Sequence, residues 1–417
     1  MIPGIFPKII FLIMILCLTI IADNAEAIDF KYGAALRQNV LLFNRPAGVD
    51  ESLMPEKSIG SSSTSLRLYE NLYWQGVLLS AAIETKSNFI SSTGSIFSGL
   101  GSGGSLFGTS QPLEHWDATF DYITGDSSNL RTRLERLDVT WSMGAYDFDI
   151  GRQPLSLGTS HFVGVLDVVA PFAPGDPDAT YKPGVDAVRL RRMVGMTGEA
   201  EIIGVGSKPW EYGAVLGRFR LLYKGVDFEF VGGRFRQRGF GGVGWEGGIS
   251  DYGIWGELAL FDRKENEEKW RGGWSEAAFS GVAGIDVNLP VDIKAGGALM
   301  YQDFGVRNTD DLVDVYDDAP FREGWVFLAS AGYGLVTLHR QMHPLVNADI
   351  AGLVNLVDSS TLWQPMITIS VGDNADMSLY GWIGTGKENT VTITKTEMNS
   401  EFGSLPTGGG FYARWFF

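Results

Sequence analysis

Phe411-Tyr412-Ala413-Arg414-Trp415-Phe416-Phe417 closes the chain, and its reading decides the fold. In an extended strand successive side chains face opposite sides, so Phe411, Ala413, Trp415 and Phe417 share one face. A water-soluble protein has no physical reason to end on exposed aromatic rings, because such a patch invites association. A hydrocarbon phase around the strand supplies the reason. Working outward, the same period recurs. Val215, Phe219, Leu221 and Tyr223 oppose Arg218, Arg220 and Leu222, and Trp325, Phe327, Ala329, Ala331, Tyr333 and Leu335 oppose the residues between them. Val291, Ile293, Ala295, Gly297, Leu299 and Tyr301 likewise oppose Asp292, Lys294 and their successors. Alternating segments of about ten residues suit a bilayer-crossing strand, because backbone groups in lipid must be paired strand to strand. A soluble sandwich has the same period, and the closing strand separates the two. The expected fold is all-β, a transmembrane antiparallel β-barrel of about 16–18 strands, with an even number preferred.

The amino end carries a second signal. Lys8 precedes an apolar run of 14 residues, Ile9 to Ala22, and Ala25-Glu26-Ala27 follows as a small-x-small cleavage site. That run is shorter than the roughly 18 residues a membrane-spanning helix needs, so residues 1–27 read as a secretory signal peptide and 28–417 as one barrel domain. The single cysteine, Cys17, falls inside the signal. The mature chain then has no thiolate nucleophile, no cysteine-ligated metal and no Cys-x-x-Cys-His for haem, so no cofactor is expected on it. A formal charge of −16, about −15 after loss of one base (Lys8) and two acids (Asp23, Glu26), argues against nucleic acid as a partner. The closing strand also resembles the signal by which bacterial outer-membrane proteins are recognised for insertion. The expected partners are therefore outer-membrane lipid and the barrel-assembly machinery, and the expected location is the outer membrane of a Gram-negative bacterium.

Connections are short at Gly144-Ala145, Gly195 to Thr197 and Lys224-Gly225, and long at Asn44 to Thr64, Ser87 to Pro112, Ser156 to Lys182 and Phe304 to Gly324. A barrel with one short-turn end and one long-loop end has this asymmetry. Ser87 to Pro112 is Ser/Gly-rich with Phe89, Phe97, Leu100 and Phe107 spaced through it, and reads as a surface loop with a pore plug as the alternative. Leu66 to Glu84 fits one long strand or a hairpin at Gln75-Gly76. Counting sides from Lys224-Gly225 places the hairpin near Asn288 to Val291 at the long-loop end, so one strand between Val226 and Val291 is miscounted.

The arginines are the candidate pore lining. Arg189 and Arg191, Arg218 and Arg220, and Arg234, Arg236 and Arg238 each repeat at period two on successive expected strands. An arginine facing lipid costs about 2–4 kcal/mol at the bilayer midplane, which directs these side chains to the lumen. Side by side they form a basic wall that attracts anions. The competing reading pairs them with Glu199, Glu201, Asp227 and Glu229 as braces. For Arg234 to join the lumen, Gly232-Gly233 must be a bulge that exchanges faces. Arg131 and Arg133 share the parity of Val139 and Trp141 and fit only if their strand outruns the bilayer. His339 and His343 lie about 13 Å apart along a strand, too far for one metal. Asp310, Asp311, Asp314, Asp317 and Asp318 form an acidic loop for which calcium is the alternative to solvation. No metal site and no catalytic residue is expected, and the chain reads as a non-enzyme.

Asp149 to Arg191 contains Asp-Ile-Gly-Arg-Gln-Pro-Leu-Ser-Leu-Gly, then Leu-Asp-Val-Val-Ala-Pro-Phe-Ala-Pro-Gly-Asp, then Tyr-Lys-Pro-Gly-Val-Asp-Ala-Val-Arg-Leu-Arg. This resembles a cassette of outer-membrane porin-like proteins, including alginate-export-type barrels and the barrel components of porin-cytochrome conduits in metal-reducing bacteria. The resemblance covers about a tenth of the chain. It marks Gly151, Arg152, Gln153, Asp186 and Arg189, and implies a strand ending at Gly151-Arg152-Gln153, a long loop able to fold inward, and a return strand through Asp186 to Arg191. Two functions follow as expectations. The first is a porin-like channel whose arginine-lined lumen favours anionic or small polar solutes. The second is a sheath that houses multihaem c-type cytochromes, with haem present only through those partners.

Overall fold

The computed structural model describes residues 28–91, 113–125, 127–172, 181–262 and 277–417. The expected signal peptide, 1–27, and most of the Ser/Gly-rich connection, 92–112, lie outside the described residues. The wall consists of 18 antiparallel strands closed into a ring. They are β1 Ile28–Asn44, β2 Ser58–Trp74, β3 Val77–Ile90, β4 Ser128–Met143, β5 Tyr146–Pro154, β6 Gly184–Val194, β7 Gly198–Val205, β8 Ala214–Tyr223 and β9 Val226–Phe235, followed by β10 Arg238–Ile249, β11 Tyr252–Asp262, β12 Ala277–Leu289, β13 Ile293–Gln302, β14 Gly332–His343, β15 Val346–Asn355, β16 Thr361–Gly372, β17 Ala375–Thr385 and β18 Gly408–Phe416. Each pairs with its sequence neighbour, and β18 pairs back onto β1 from Ala35↔Phe416 to Phe43↔Gly408. A further short strand, Thr119–Thr124, lies against β4.

Alternation fixes the two faces. Leu42, Ile150, Ile202, Leu260, Leu299 and Leu379 are exposed on the outer face, as residues solvated by hydrocarbon must be. Phe411 and Trp415 share that parity, opposite Val40 and Leu36, while Arg414 stands opposite Arg37 on the inner face. The last residue is tied down: Phe417 N–H donates to the Ala34 carbonyl at 2.8 Å and accepts from Ala34 N–H at 3.1 Å.

All the long connections lie at one end, and most of the short ones at the other. Gln75-Gly76 is a hairpin there, with φ of 46° and 83°, and Lys224-Gly225 is another, with 51° and 80°. Two consecutive left-handed residues give the turn whose twist matches the flanking strands. The miscounted strand is explained by a third such pair, Arg236 (φ 51°) and Gln237 (φ 68°). This turn ends β9 at Phe235 and starts β10 at Arg238, so Arg234, Arg236 and Arg238 do not share a strand. The additional hairpin returns the turn near Val291 to the short-turn end. No bulge exchanges faces at Gly232-Gly233: the pairing runs without a shift through Gly232↔Gly217 and Gly233↔Leu216. A bulge does occur in β4, where the pairs Ala82↔Arg136 and Ile83↔Leu134 leave Glu135 extra. It changes the parity of Arg131 and Arg133 relative to Val139 and Trp141, and β4, at 16 residues, is also longer than the roughly 9–11 that a bilayer crossing needs.

The hydrophobic core lies inside the ring. Residues 155–172 turn inward and bury Leu155, Leu157, Val165, Leu166, Val168 and Val169. Residues 303–331 do the same with Phe304, Val306, Leu312, Phe321 and Trp325. The segment Trp325 to Leu335 is therefore not one strand: residues 325–331 are non-strand lining of the interior, and β14 begins at Gly332. Aromatic contacts seat it, with Trp325 5.1 Å from both Phe261 and Phe304. Val291 and Asp292 likewise belong to a turn, and β13 starts at Ile293.

Candidate functional site: the lumen

The inner faces of β5 to β9 carry charge in alternating stripes. Asp147 and Asp149 stand on β5, Arg189 and Arg191 on β6, Glu199 and Glu201 on β7, Arg218 and Arg220 on β8, and Asp227 and Glu229 on β9. Register places them side by side as Asp149↔Arg189, Arg191↔Glu201, Glu201↔Arg218 and Arg220↔Glu229. The expected basic wall is thus interrupted, because a strand of carboxylates separates the two arginine strands. Arg189 Nε lies 2.6 Å from Glu201 Oε1, Arg218 Nη2 2.5 Å from Glu201 Oε2, Arg191 Nη2 2.9 Å from Asp149 Oδ2, and Arg220 Nε 3.4 Å from Glu229 Oε2. Glu201 is fully buried between two guanidiniums, whereas Arg220 is 52% exposed to the lumen and Arg191 28%.

The remaining arginines of the candidate set are placed otherwise. Arg238 donates to Glu323 of the inward segment 303–331 at 2.9 Å, and Arg236 donates to the Glu323 carbonyl at 3.2 Å, so both brace that segment. Arg234 keeps the outer parity of Phe228 and Phe230 and donates to the Gln237 carbonyl at 3.0 Å. It is not a lumen residue. Of the cassette, Gln153 and Arg189 meet on the inner face at 3.3 Å. Arg152 and Asp186 instead form a two-pronged pair at 2.8 and 3.0 Å at the long-loop rim. Asp186 also accepts the backbone N–H groups of His115 and Trp116, each at 2.9 Å, which ties residues 113–118 to the rim. Gly151, at φ 126°, lies where a Cβ would meet the Leu137 carbonyl at 2.2 Å, so close strand approach demands glycine.

The sequence reading missed the residues that hold the inward loop. Glu257 on β11 is buried and accepts four of its backbone N–H groups: Thr159 and Ser160 at 2.6 Å, Val165 at 2.7 Å and Leu166 at 3.0 Å. Glu229 accepts Gly158 N–H at 2.8 Å. Opposite, Leu166 packs where Gly242 leaves room, since a Cβ there would lie 2.3 Å from Leu166 Cδ2. His161, further along the loop, touches Glu246 and Asp286 at 3.0 Å each. At its other limb Lys182 pairs with Asp167, and Tyr181 stacks over Arg67 at 4.4 Å and Arg37 at 5.1 Å on β2 and β1. The loop therefore reaches opposite parts of the wall and narrows the passage. A lone buried glutamate in a strand offered the only signal, and period-two reading does not distinguish it from a solvated lumenal acid.

Among the described residues no three histidines or carboxylates converge to hold a metal ion, and the acidic loop Asp310 to Asp318 forms two short 3-10 turns instead. His339 pairs with Asp349 at 2.7 Å.

No family model matches the chain, and no curated protein matches it. Solved structures do. The crystal structure of OccAB1 from Acinetobacter baumannii superposes with a TM-score of 0.58 at 9% identity, covering 93% of this chain and 96% of that one. OccAB4 from the same organism gives 0.56 at 9% identity, with 94% and 99% covered. OccK5 (OpdH) of Pseudomonas aeruginosa gives 0.54 at 9% identity, with 93% and 98% covered. The chain has the fold of an outer-membrane porin. This porin-type fold accounts for the 18-strand ring and its near absence of helix. The likeness gives no support to the alginate-export and conduit resemblances drawn from the cassette.

Proposed function

We propose that this chain is a porin-like channel of the Gram-negative outer membrane, a passage and not an enzyme, for small polar solutes including small anions. The observation that carries the reading is a lumen narrowed by a clamped inward loop and faced by striped charge. The exposed rungs, Arg220 and Arg191, present guanidinium donors suited to the carboxylate or phosphate of a passing solute. The carboxylates on both sides keep the net field small, so any anion preference is modest. Outer-membrane lipid and the assembly machinery that reads Phe411, Trp415 and Phe417 belong to the same proposal, which needs no cofactor. The sheath alternative is not favoured: residues 155–172 and 303–331 already occupy the interior that multihaem cytochromes would fill.

Replacing Arg218 and Arg220 together with alanine leaves Glu199, Glu201 and Glu229 short of counter-charge. In planar bilayers under a salt gradient, the reversal potential of the double variant is expected to move toward cation preference. Selectivity identical to that of the unaltered protein would count against a lumen controlled by these rungs.

A further inference from the structure

One row of directly paired residues crosses the outer face near the long-loop end: Ile150↔Val188, Val188↔Gly204, Gly204↔Val215 and Val215↔Arg234. Four members are apolar or carry no side chain, and the last is cationic. The row forms the floor of a recess of about 1230 Å³, with Leu137 alongside and Trp116 and Trp210 at its edge. Gly204 supplies the depth. Ile150, Val188 and Val215 are 47%, 43% and 62% exposed, so the recess is continuous with the hydrocarbon-facing band. Tryptophans at the edge of such a band mark the level where acyl chains give way to headgroups.

Arg234 is the anomaly. It is exposed on the lipid parity, its guanidinium bonds only the Gln237 carbonyl, and it meets no carboxylate among the described residues. Two acids also line the recess: Asp186 is held by Arg152, and Glu211 makes no ion pair with Arg234. Arg234 thus has no carboxylate partner among the described residues, while apolar surface adjoins it: the complement is an amphiphile with an anionic head.

We infer that this recess is a site for one anionic membrane lipid, with an alkyl chain over Ile150, Val188, Gly204 and Val215 and the headgroup phosphate on Arg234. The inference rests on the reading of the outer face as lipid-covered. The lipid would hold strands β5 to β9 together from outside, behind the charge stripes of the lumen.

The test is native mass spectrometry of the full barrel in uncharged detergent, titrated separately with phosphatidylglycerol and phosphatidylcholine, with channel conductance measured on the same samples. One phosphatidylglycerol per barrel is expected to survive activation that strips phosphatidylcholine. Arg234→Ser should weaken it about tenfold, the equivalent of one charge-assisted contact, while Arg234→Lys retains it and both variants conduct normally. Equal retention of the two lipids, or unchanged binding by Arg234→Ser, overturns the inference. Failure to retain any lipid would also overturn it. A barrel that binds the lipid but does not conduct overturns the channel reading alone.

Discussion

Glu257→Ala is expected to release the inward loop and raise single-channel conductance severalfold. The carboxylate takes four backbone N–H groups into one buried site, and a hydrogen bond to a charged group contributes about 1.5–3 kcal/mol. The four are not additive, because they share one anion and one loop, but their joint loss is on the order of 5 kcal/mol. Alanine also leaves four donors without an acceptor in a dry environment, which the loop avoids only by moving into the water of the lumen. Glu257→Gln should behave similarly, since its amide nitrogen would confront donors where the carboxylate presents lone pairs. The strand ladders are untouched, so the variant should keep the heat-resistant electrophoretic band of a closed barrel. Conductance and the size limit for neutral sugars are the readouts. Unaltered values for both would mean that residues 155–172 do not restrict the passage.

A pH-dependent loosening of the outer mouth is the second large effect. Glu401 lies in the connection between β17 and β18, buried, with Tyr333 Oη donating to it at 2.5 Å, Asn355 Nδ2 at 2.8 Å and Ala329 N–H at 2.8 Å. These contacts latch residues 386–407 to the end of the inward segment and to β15. No lysine or arginine pairs with Glu401 among the described residues. The nearest titratable neighbours are Tyr333, Tyr316 and Asp358, whose carboxylate accepts Glu401 N–H at 2.7 Å. Burial raises its pKa from 4.5 to about 7. The latched form therefore holds a proton that the released form gives up. The latch is strongest below about pH 4.5, weakens as pH rises, and above pH 7 has lost about 3 kcal/mol. Trypsin should cut at Lys387 and Lys395 faster above pH 7 in the unaltered protein than in Glu401→Gln, whose side chain cannot ionise. Equal rates for the two proteins at pH 6 and pH 9 would show that ionisation of Glu401 does not control the latch.

Much of the wall was legible because period two is enforced twice, by hydrocarbon outside and water inside. The faces of Val215 to Tyr223 and the shared outer parity of Phe411 and Trp415 follow from it directly. The failures have one physical origin, which is that alternation is silent about turns and about what lies behind a face. Arg234, Arg236 and Arg238 keep strand spacing straight through a two-residue turn, and that disguise caused both the miscounted strand and the supposed bulge at Gly232-Gly233. Trp325 to Ala331 are buried on every side, so the alternation of their side chains marks no strand there. The arginine spacing was visible, yet the intervening β7 acids changed a basic wall into stripes, and only register could reveal that. Glu257 and Glu401 work through contacts made at long sequence separation, with nothing local to announce them.

The seam between β1 and β18 has a consequence for biogenesis. The two strands that complete the ring are the first and the last of the 18, so every other pairing can form while the cylinder still gapes along one side. A gaping sheet presents two rows of unpaired amides, which in water are open to pairing with another chain and in lipid go unsatisfied. Contacts between strands so far apart in sequence also form slowly. Assembly must therefore proceed with both edges shielded until the aromatic closing strand arrives, and a defect in that strand should be lost as degraded chain before it is ever seen as a leaky pore.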